Sequence, residues 1–125
     1  FPDVKVTGEA CPMWVPLVEN RESMNDGADY FVKQEIERLF DADAKIDTVV
    51  LGCTHYPFLA ETISKTAAII APGRDIKVID PAPAVAKHLL EIMKENRLIK
   101  KDGFNIVLKS SGDDTILQET YGRLV

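Results

Sequence analysis

Apolar residues recur along this chain with two different periods, and the alternation between them predicts the order of its elements. Val32, Ile36, Leu39 and Phe40 fall three and four positions apart, the spacing of one helical face, and predict a helix from about Ala28 to Phe40. Leu59, Ile63, Ala67 and Ile70 do the same for a helix from about Pro57 to Ile70. A third stripe, Val85, Leu89, Ile92 and Met93, follows Asp80 and Pro81, which suit the cap and first turn of a helix. Short apolar runs between these helices predict strands at Val4 to Thr7, Thr48 to Leu51, Ile76 to Ile79 and Asn105 to Leu108. Ile46, Val49, Val50 and Leu51 together read as a strand buried on both faces. Ser110-Ser111-Gly112-Asp113 reads as a turn that caps a last helix, roughly Asp114 to Tyr121. Strands alternating with helices predict an α/β fold, a parallel sheet with flanking helices. The linker-like stretches Asn20 to Gly27 and Ala71 to Asp75 are too short for an interdomain tether.

A length of 125 residues gives one ordinary domain a real core and is short for a complete two-domain enzyme. The chain opens on Phe1 and runs straight into a strand-like segment, so upstream sequence is expected. The net charge is −5, with lysines and arginines scattered and not gathered in a stripe, which argues against a nucleic-acid partner. No apolar run approaches the roughly 18 residues that would span a bilayer, and no charged start precedes an apolar export segment. A cytoplasmic location without membrane contact is the default expectation. Two cysteines, Cys11 and Cys53, are too few for a disulfide framework, and neither stands at zinc-ligand spacing from a histidine, so free thiols and no metal site are expected.

The candidate chemistry lies in Leu51-Gly52-Cys53-Thr54-His55-Tyr56-Pro57-Phe58-Leu59, where a strand turns into a helix. In open α/β sheets that carboxyl edge is where ligands bind. A thiol at a helix N-terminus beside a histidine is placed for activation, a hydroxyl and unpaired amides from Thr54 to Tyr56 suit a carboxylate, and His55 can donate to substrate, tune the thiol or hold a proton. The plainer reading makes Cys53 a small buried apolar residue, Thr54 a cap and His55 a surface imidazole. Residues alone leave the two about even.

The wider pattern resembles the glutamate racemases. Leu51 to Leu59 is similar to the family's second signature, and Ala10-Cys11-Pro12-Met13-Trp14-Val15-Pro16-Leu17-Val18-Glu19 resembles its upstream Ala-Cys-Pro segment ending in Pro-Leu-Val-Glu. Weaker similarity runs through Val78-Ile79-Asp80 and Ser111-Gly112-Asp113, so the resemblance covers nearly the whole chain and corresponds to the C-terminal half of the family. It implies a two-domain aspartate/glutamate racemase-like fold, with residues 1 to 79 part of the second domain and 80 to 125 returning to the first. It also implies a cofactor-independent enzyme interconverting L- and D-glutamate, with D-glutamate supplied for peptidoglycan. Two cysteines would act from opposite faces of the substrate. Cys53 matches the second catalytic cysteine, Thr54 a contact to the substrate carboxylate, His55 the auxiliary group beside that cysteine, and Glu19 an assisting carboxylate. Relatives acting on aspartate or hydantoins share the plan, but Tyr56-Pro57 and the Ala-Cys-Pro segment favour glutamate.

The family's first catalytic cysteine belongs to a Cys-Asn-Thr motif that this sequence lacks. Cys11 matches the noncatalytic cysteine of the Ala-Cys-Pro segment and is read as a buried structural thiol. Inversion needs a proton donor on the face opposite the base, so the chain alone is expected to be inactive without the missing N-terminal half as partner. Two other classes stay open: a different cysteine enzyme with His55 activating Cys53 as a nucleophile, and a catalytically silent carboxylate-binding module. A homo-oligomer is compatible with apolar surface left open by the missing half. His88 is read as a packing histidine, Trp14 as core or as the wall of a hinge or pocket, and Glu35, Glu37, Asp41 and Asp43 as a solvated helix face and its exit.

Overall fold

The computed structural model describes residues 2–23, 25–99 and 105–124. Two compact units make up the chain, Phe1–Leu89 and Leu90–Val125.

The first unit is organised around helix α2 (Asp26–Ala42), which starts where the Asn25 side chain accepts the Ala28 amide. Its predicted stripe goes inward: Val32 is 0% and Ile36 1% exposed, with Phe40 at 7%. Helix α3 (Ala60–Ile70) lies against it through Ile63 and Ala67. The predicted helix from Pro57 is in fact a 3₁₀ turn, Tyr56–Leu59, leading into α3. Pro57 near the start has no amide to give an earlier carbonyl, and its fixed φ suits a tight first turn. Strands β1 (Thr48–Val50) and β2 (Lys77–Ile79) pair in parallel, Val49 opposite Val78, with α3 as the connection between them. Parallel pairing with a helical crossover establishes the α/β class expected from the sequence.

Three strand expectations change. Val49 is buried at 7% but Val50 is 60% and Ile79 44% exposed, so β1 is covered on one face and not on both. Val4 to Thr7 forms no strand: Val6 is 84% exposed, and Lys5 reaches out to Asp43 at 2.7 Å. Asn105 to Leu108 forms none either, with Val107 66% exposed. A short β-prone run cannot satisfy its backbone alone, and among the described residues neither has a neighbouring strand.

A helix that the sequence reading passed over, α1 (Trp14–Glu19), precedes α2 and buries Trp14, Leu17 and Val18. It stops abruptly in a Schellman motif: the Glu22 amide donates to the Leu17 carbonyl at 2.7 Å and the Arg21 amide to Val18 at 3.2 Å. The residue in the left-handed position is Arg21, at φ 64°, where glycine is usual.

Asp80 accepts the Ala82 amide at 2.9 Å and opens helix α4 (Ala82–Glu95), as expected from the sequence. α4 ends in a second Schellman motif with Arg97 left-handed, the Leu98 amide donating to Met93 at 2.8 Å. No residue of α4 is buried, so His88 is exposed and not the packing histidine expected. In the second unit Asp113 caps α5 (Asp114–Leu124), accepting amides from Thr115 at 2.7 Å and Ile116 at 3.3 Å. Those two bonds hold its carboxyl below the usual range.

Candidate active site

Cys53, Thr54 and His55 occupy the turn between β1 and the 3₁₀ segment, at the carboxyl edge of the sheet where the sequence reading put them. Leu51 beneath them is 1% exposed and its amide donates to the Ile79 carbonyl, so the turn leaves the sheet from a fixed point. Cys53 is half-buried, Thr54 exposed and His55 half-buried. Of the three amides expected to face a ligand, that of Tyr56 donates to the Cys53 carbonyl at 3.1 Å and that of His55 to the Cys53 sulfur.

Glu19 arrives from the end of α1, thirty-six residues earlier, and meets His55 with its Oε1 2.6 Å from Nε2. The other ring nitrogen, Nδ1, stands 3.3 Å from the Thr54 hydroxyl and 4.0 Å from the Cys53 sulfur. The four residues singled out in the sequence therefore form one line: carboxylate, imidazole, thiol, with a hydroxyl alongside. With Nε2–H donated to Glu19, a neutral ring presents Nδ1 as an acceptor toward the thiol. Once that nitrogen takes a proton, the imidazolium stands beside a thiolate.

The electrostatics follow this geometry. The Cys53 thiol is held below its ordinary value, chiefly by the backbone amide of His55 donating to the sulfur, against partial burial, with the imidazole and the Thr54 hydroxyl adding to the effect. His55 is held above its ordinary value, first by the Glu19 carboxylate and also by Cys53, with burial opposing. A local amide and one imidazole lower the thiol here.

Cys11 presents the contrast. It is 8% exposed, its thiol points to the Glu9 carbonyl 3.8 Å away, and its pKa is pushed up to about 11 by burial and then by the nearby Glu35 carboxylate. Both cysteines are free. Glu35, expected on a solvated face, is instead 4% exposed and bonded to Arg38 at 2.7 Å. Trp14 is 3% exposed and sets its ring edge-on to Tyr56, centroids 4.8 Å apart and planes at 73°. The sequence reading gave Tyr56 no structural task and found no α1, although Trp14, Leu17 and Val18 already stood at helical spacing. Among the described residues no group of three His, Cys, Asp or Glu side chains could hold a metal ion.

No family model matches the chain. It is, however, 38% identical over 109 residues to the glutamate racemase of Carboxydothermus hydrogenoformans, across 87% of this chain and 38% of that protein. The glutamate racemase of Geobacter metallireducens is 35% identical over 99 residues, 79% of this chain and 34% of that one. In three dimensions the glutamate racemase of Thermus thermophilus, solved in complex with β-chloro-D-alanine, aligns with a TM-score of 0.73 at 28% identity, covering 93% of this chain and 42% of its own. The chain is similar in sequence and in fold to one part of the glutamate racemases. Another racemase of the family, from Francisella tularensis in complex with D-glutamate, aligns with a TM-score of 0.68 at 28% identity over 82% of this chain and 35% of that one. The chain spans little more than a third of the curated relatives it matches.

Proposed function

We propose that this chain is the C-terminal part of a cofactor-independent glutamate racemase and supplies one of two proton-transfer faces. The observation that carries the reading is the line Glu19, His55, Cys53, in which a carboxylate 2.6 Å from one ring nitrogen turns the other toward a thiol with a lowered pKa. In one direction the Cys53 thiolate takes the α-proton of glutamate, and a thiol on the missing half delivers a proton to the opposite face. In the other direction Cys53 is the donor. His55 holds the proton that Cys53 gives up, and Glu19 keeps the imidazole in the orientation and charge state for that exchange. Thr54, exposed beside the thiol, is the contact for the substrate carboxylate. Cys11, with its thiol pushed up to about 11, stays protonated and takes no part.

In the same reading residues 1 to 79 belong to the second domain, and residues 80 to 125 return to the first. The open apolar residues of α4, Val85 at 66% and Leu89 at 55% exposed, support this, because the missing half supplies their cover. The product D-glutamate serves peptidoglycan synthesis in the cytoplasm. No helix among the described residues is long and apolar enough to cross a membrane.

The test joins this chain to an upstream half carrying the first cysteine and follows both the optical rotation of glutamate and exchange of its α-hydrogen for deuterium. Racemisation by the joined protein, lost by about 100-fold to 10,000-fold in Cys53→Ala, is expected. The 125-residue chain alone should be silent. Full activity in Cys53→Ala would falsify the assignment. Trapping of an acyl-enzyme would move Cys53 to nucleophilic chemistry, and glutamate binding without exchange would leave a carboxylate-binding module.

A further inference from the structure

Glu19 and His55 belong to elements far apart in sequence, and their 2.6 Å contact is held at the surface: the Glu19 side chain is 53% and that of His55 29% exposed. An exposed glutamate has several rotatable bonds, so its place depends on the helix that carries it. That helix, α1, is only six residues long and too short to be stable by itself. Something beneath the surface must fix α1 against the His55 turn.

Trp14 is buried at the other end of α1, at 3% exposure. It is the first residue of α1, as Glu19 is the last, and its ring meets that of Tyr56, the residue following His55, edge to face at 4.8 Å. Its indole N–H is donated to the Phe31 carbonyl of α2 at 3.4 Å. Thus one buried side chain touches the element of the carboxylate, the element of the imidazole and the helix at the centre of the core. Edge-to-face pairs are attractive beyond the area they bury and prefer one mutual orientation, which selects a placement for so short a helix.

We propose that Trp14 is a positioning residue: by clamping α1 between the Tyr56 ring and the Phe31 carbonyl, it sets the contact between Glu19 and His55. Trp14 touches neither Glu19 nor any reacting atom in this account and acts through the helix it begins. Five residues at about 1.5 Å each put Glu19 roughly 7.5 Å along the axis, so a small tilt at Trp14 becomes a displacement of ångström size at the carboxylate. Misplacement by about 1 Å is worth up to roughly 100-fold in rate. For catalysis, the inference rests on the racemase reading; for geometry, it does not.

The experiment reads His55 directly. The groups facing its ring are Glu19, Cys53 and the Thr54 hydroxyl, and its titration is followed by nitrogen-detected NMR on the whole chain, with and without the joined upstream half. Trp14→Leu removes the ring; circular dichroism reports whether the fold is kept. In a folded Trp14→Leu, the His55 midpoint should fall toward its ordinary value, as in Glu19→Gln, and the double variant should fall no further than Glu19→Gln alone. Trp14→Phe, which keeps a ring in the slot, should restore most of the wild-type midpoint. Should Trp14→Leu not fold, Tyr56→Leu removes the other half of the same contact and should lower the midpoint likewise. An unchanged His55 midpoint in either folded leucine variant, or additive effects of Trp14→Leu and Glu19→Gln, overturns the proposal. In the joined protein Trp14→Leu should lower kcat by about 10-fold to 100-fold with KM nearly unchanged. Because the titration needs no substrate, a shifted midpoint in a protein that never exchanges the α-hydrogen keeps the positioning role and discards the racemase. A racemase with a flat midpoint does the reverse.

Discussion

The surroundings of Cys11 and of Cys53 place the same functional group in opposite conditions within one small unit. Around Cys11 the neighbours are Glu9 backbone, the Glu35 carboxylate and the Tyr56 ring, water is excluded, and the thiol is driven up to about 11. Around Cys53 the His55 amide, a hydroxyl and a carboxylate-backed imidazole favour the thiolate, and the sulfur is partly open. The lesson is that burial beside a carboxylate outweighs the single hydroxyl of Tyr56 and silences a thiol, while partial exposure with several oriented donors prepares one. Tyr56 touches both regions, since it follows His55 in the chain and is itself pushed up, first by burial and then by Cys11.

The sharpest way to break this comparison is to replace each sulfur with a carboxylate. Cys11→Asp puts a charge beside buried Glu35 and should cost about 3–5 kcal/mol in urea unfolding, whereas Cys53→Asp at the edge should cost under about 1. Equal costs would mean that the two surroundings are alike. Chemical labelling comes next. Measured against the ordinary thiol at 9.0, a value of about 11 lowers the thiolate fraction of Cys11 roughly 100-fold at neutral pH, before burial is counted. Iodoacetamide should therefore mark Cys53 at least about 100-fold faster in the folded chain, with peptide mass mapping as the check.

A smaller effect tests the imidazole that backs Cys53. Because Glu19 raises the His55 pKa above 6.5, the pair adds stability that is fully present below about 6.5 and disappears as pH rises through the folded value. The unfolding free energy of the wild type minus that of Glu19→Gln should then be larger near pH 5.5 than near pH 9, a modest difference because Glu19 is exposed. A difference that grows with pH would reverse the sign of the interaction. Least of all in size, Arg21→Gly should relieve the left-handed position that ends α1 and stabilise the chain by about 1 kcal/mol, leaving the labelling of Cys53 unaltered. Lost stability there would show that the Arg21 side chain, and not the backbone turn, is what matters.

Much of this was legible beforehand, for identifiable reasons. The α2 and α3 stripes were readable because a helix repeats its buried face every three to four residues, and Val32, Ile36 and Ile63 did go to the centre. Asp80 and Asp113 were readable as caps because the bond between a carboxylate and a nearby amide is local. The strands at Val4 and Asn105 were misread because β-propensity describes a side chain's fit to a sheet and says nothing of whether a neighbour exists to take the hydrogen bonds. Glu35 was misread because its place on α2 borders the buried stripe, and only the packing of Cys11 and Arg38 revealed which side it faces.

By itself, then, the sequence determined what each stretch of a dozen residues does alone: its helical faces, its caps, the strand-to-helix turn and the Cys-Thr-His run upon it. Those depend on period, backbone freedom and short-range hydrogen bonds. Only the tertiary structure decided that Glu19 would come within 2.6 Å of His55, that the Trp14 ring would meet that of Tyr56, and that one thiol would be sealed while the other was primed. Such pairings join residues dozens of positions apart. Their energies depend on distance and dielectric, and these exist only once the chain has closed on itself.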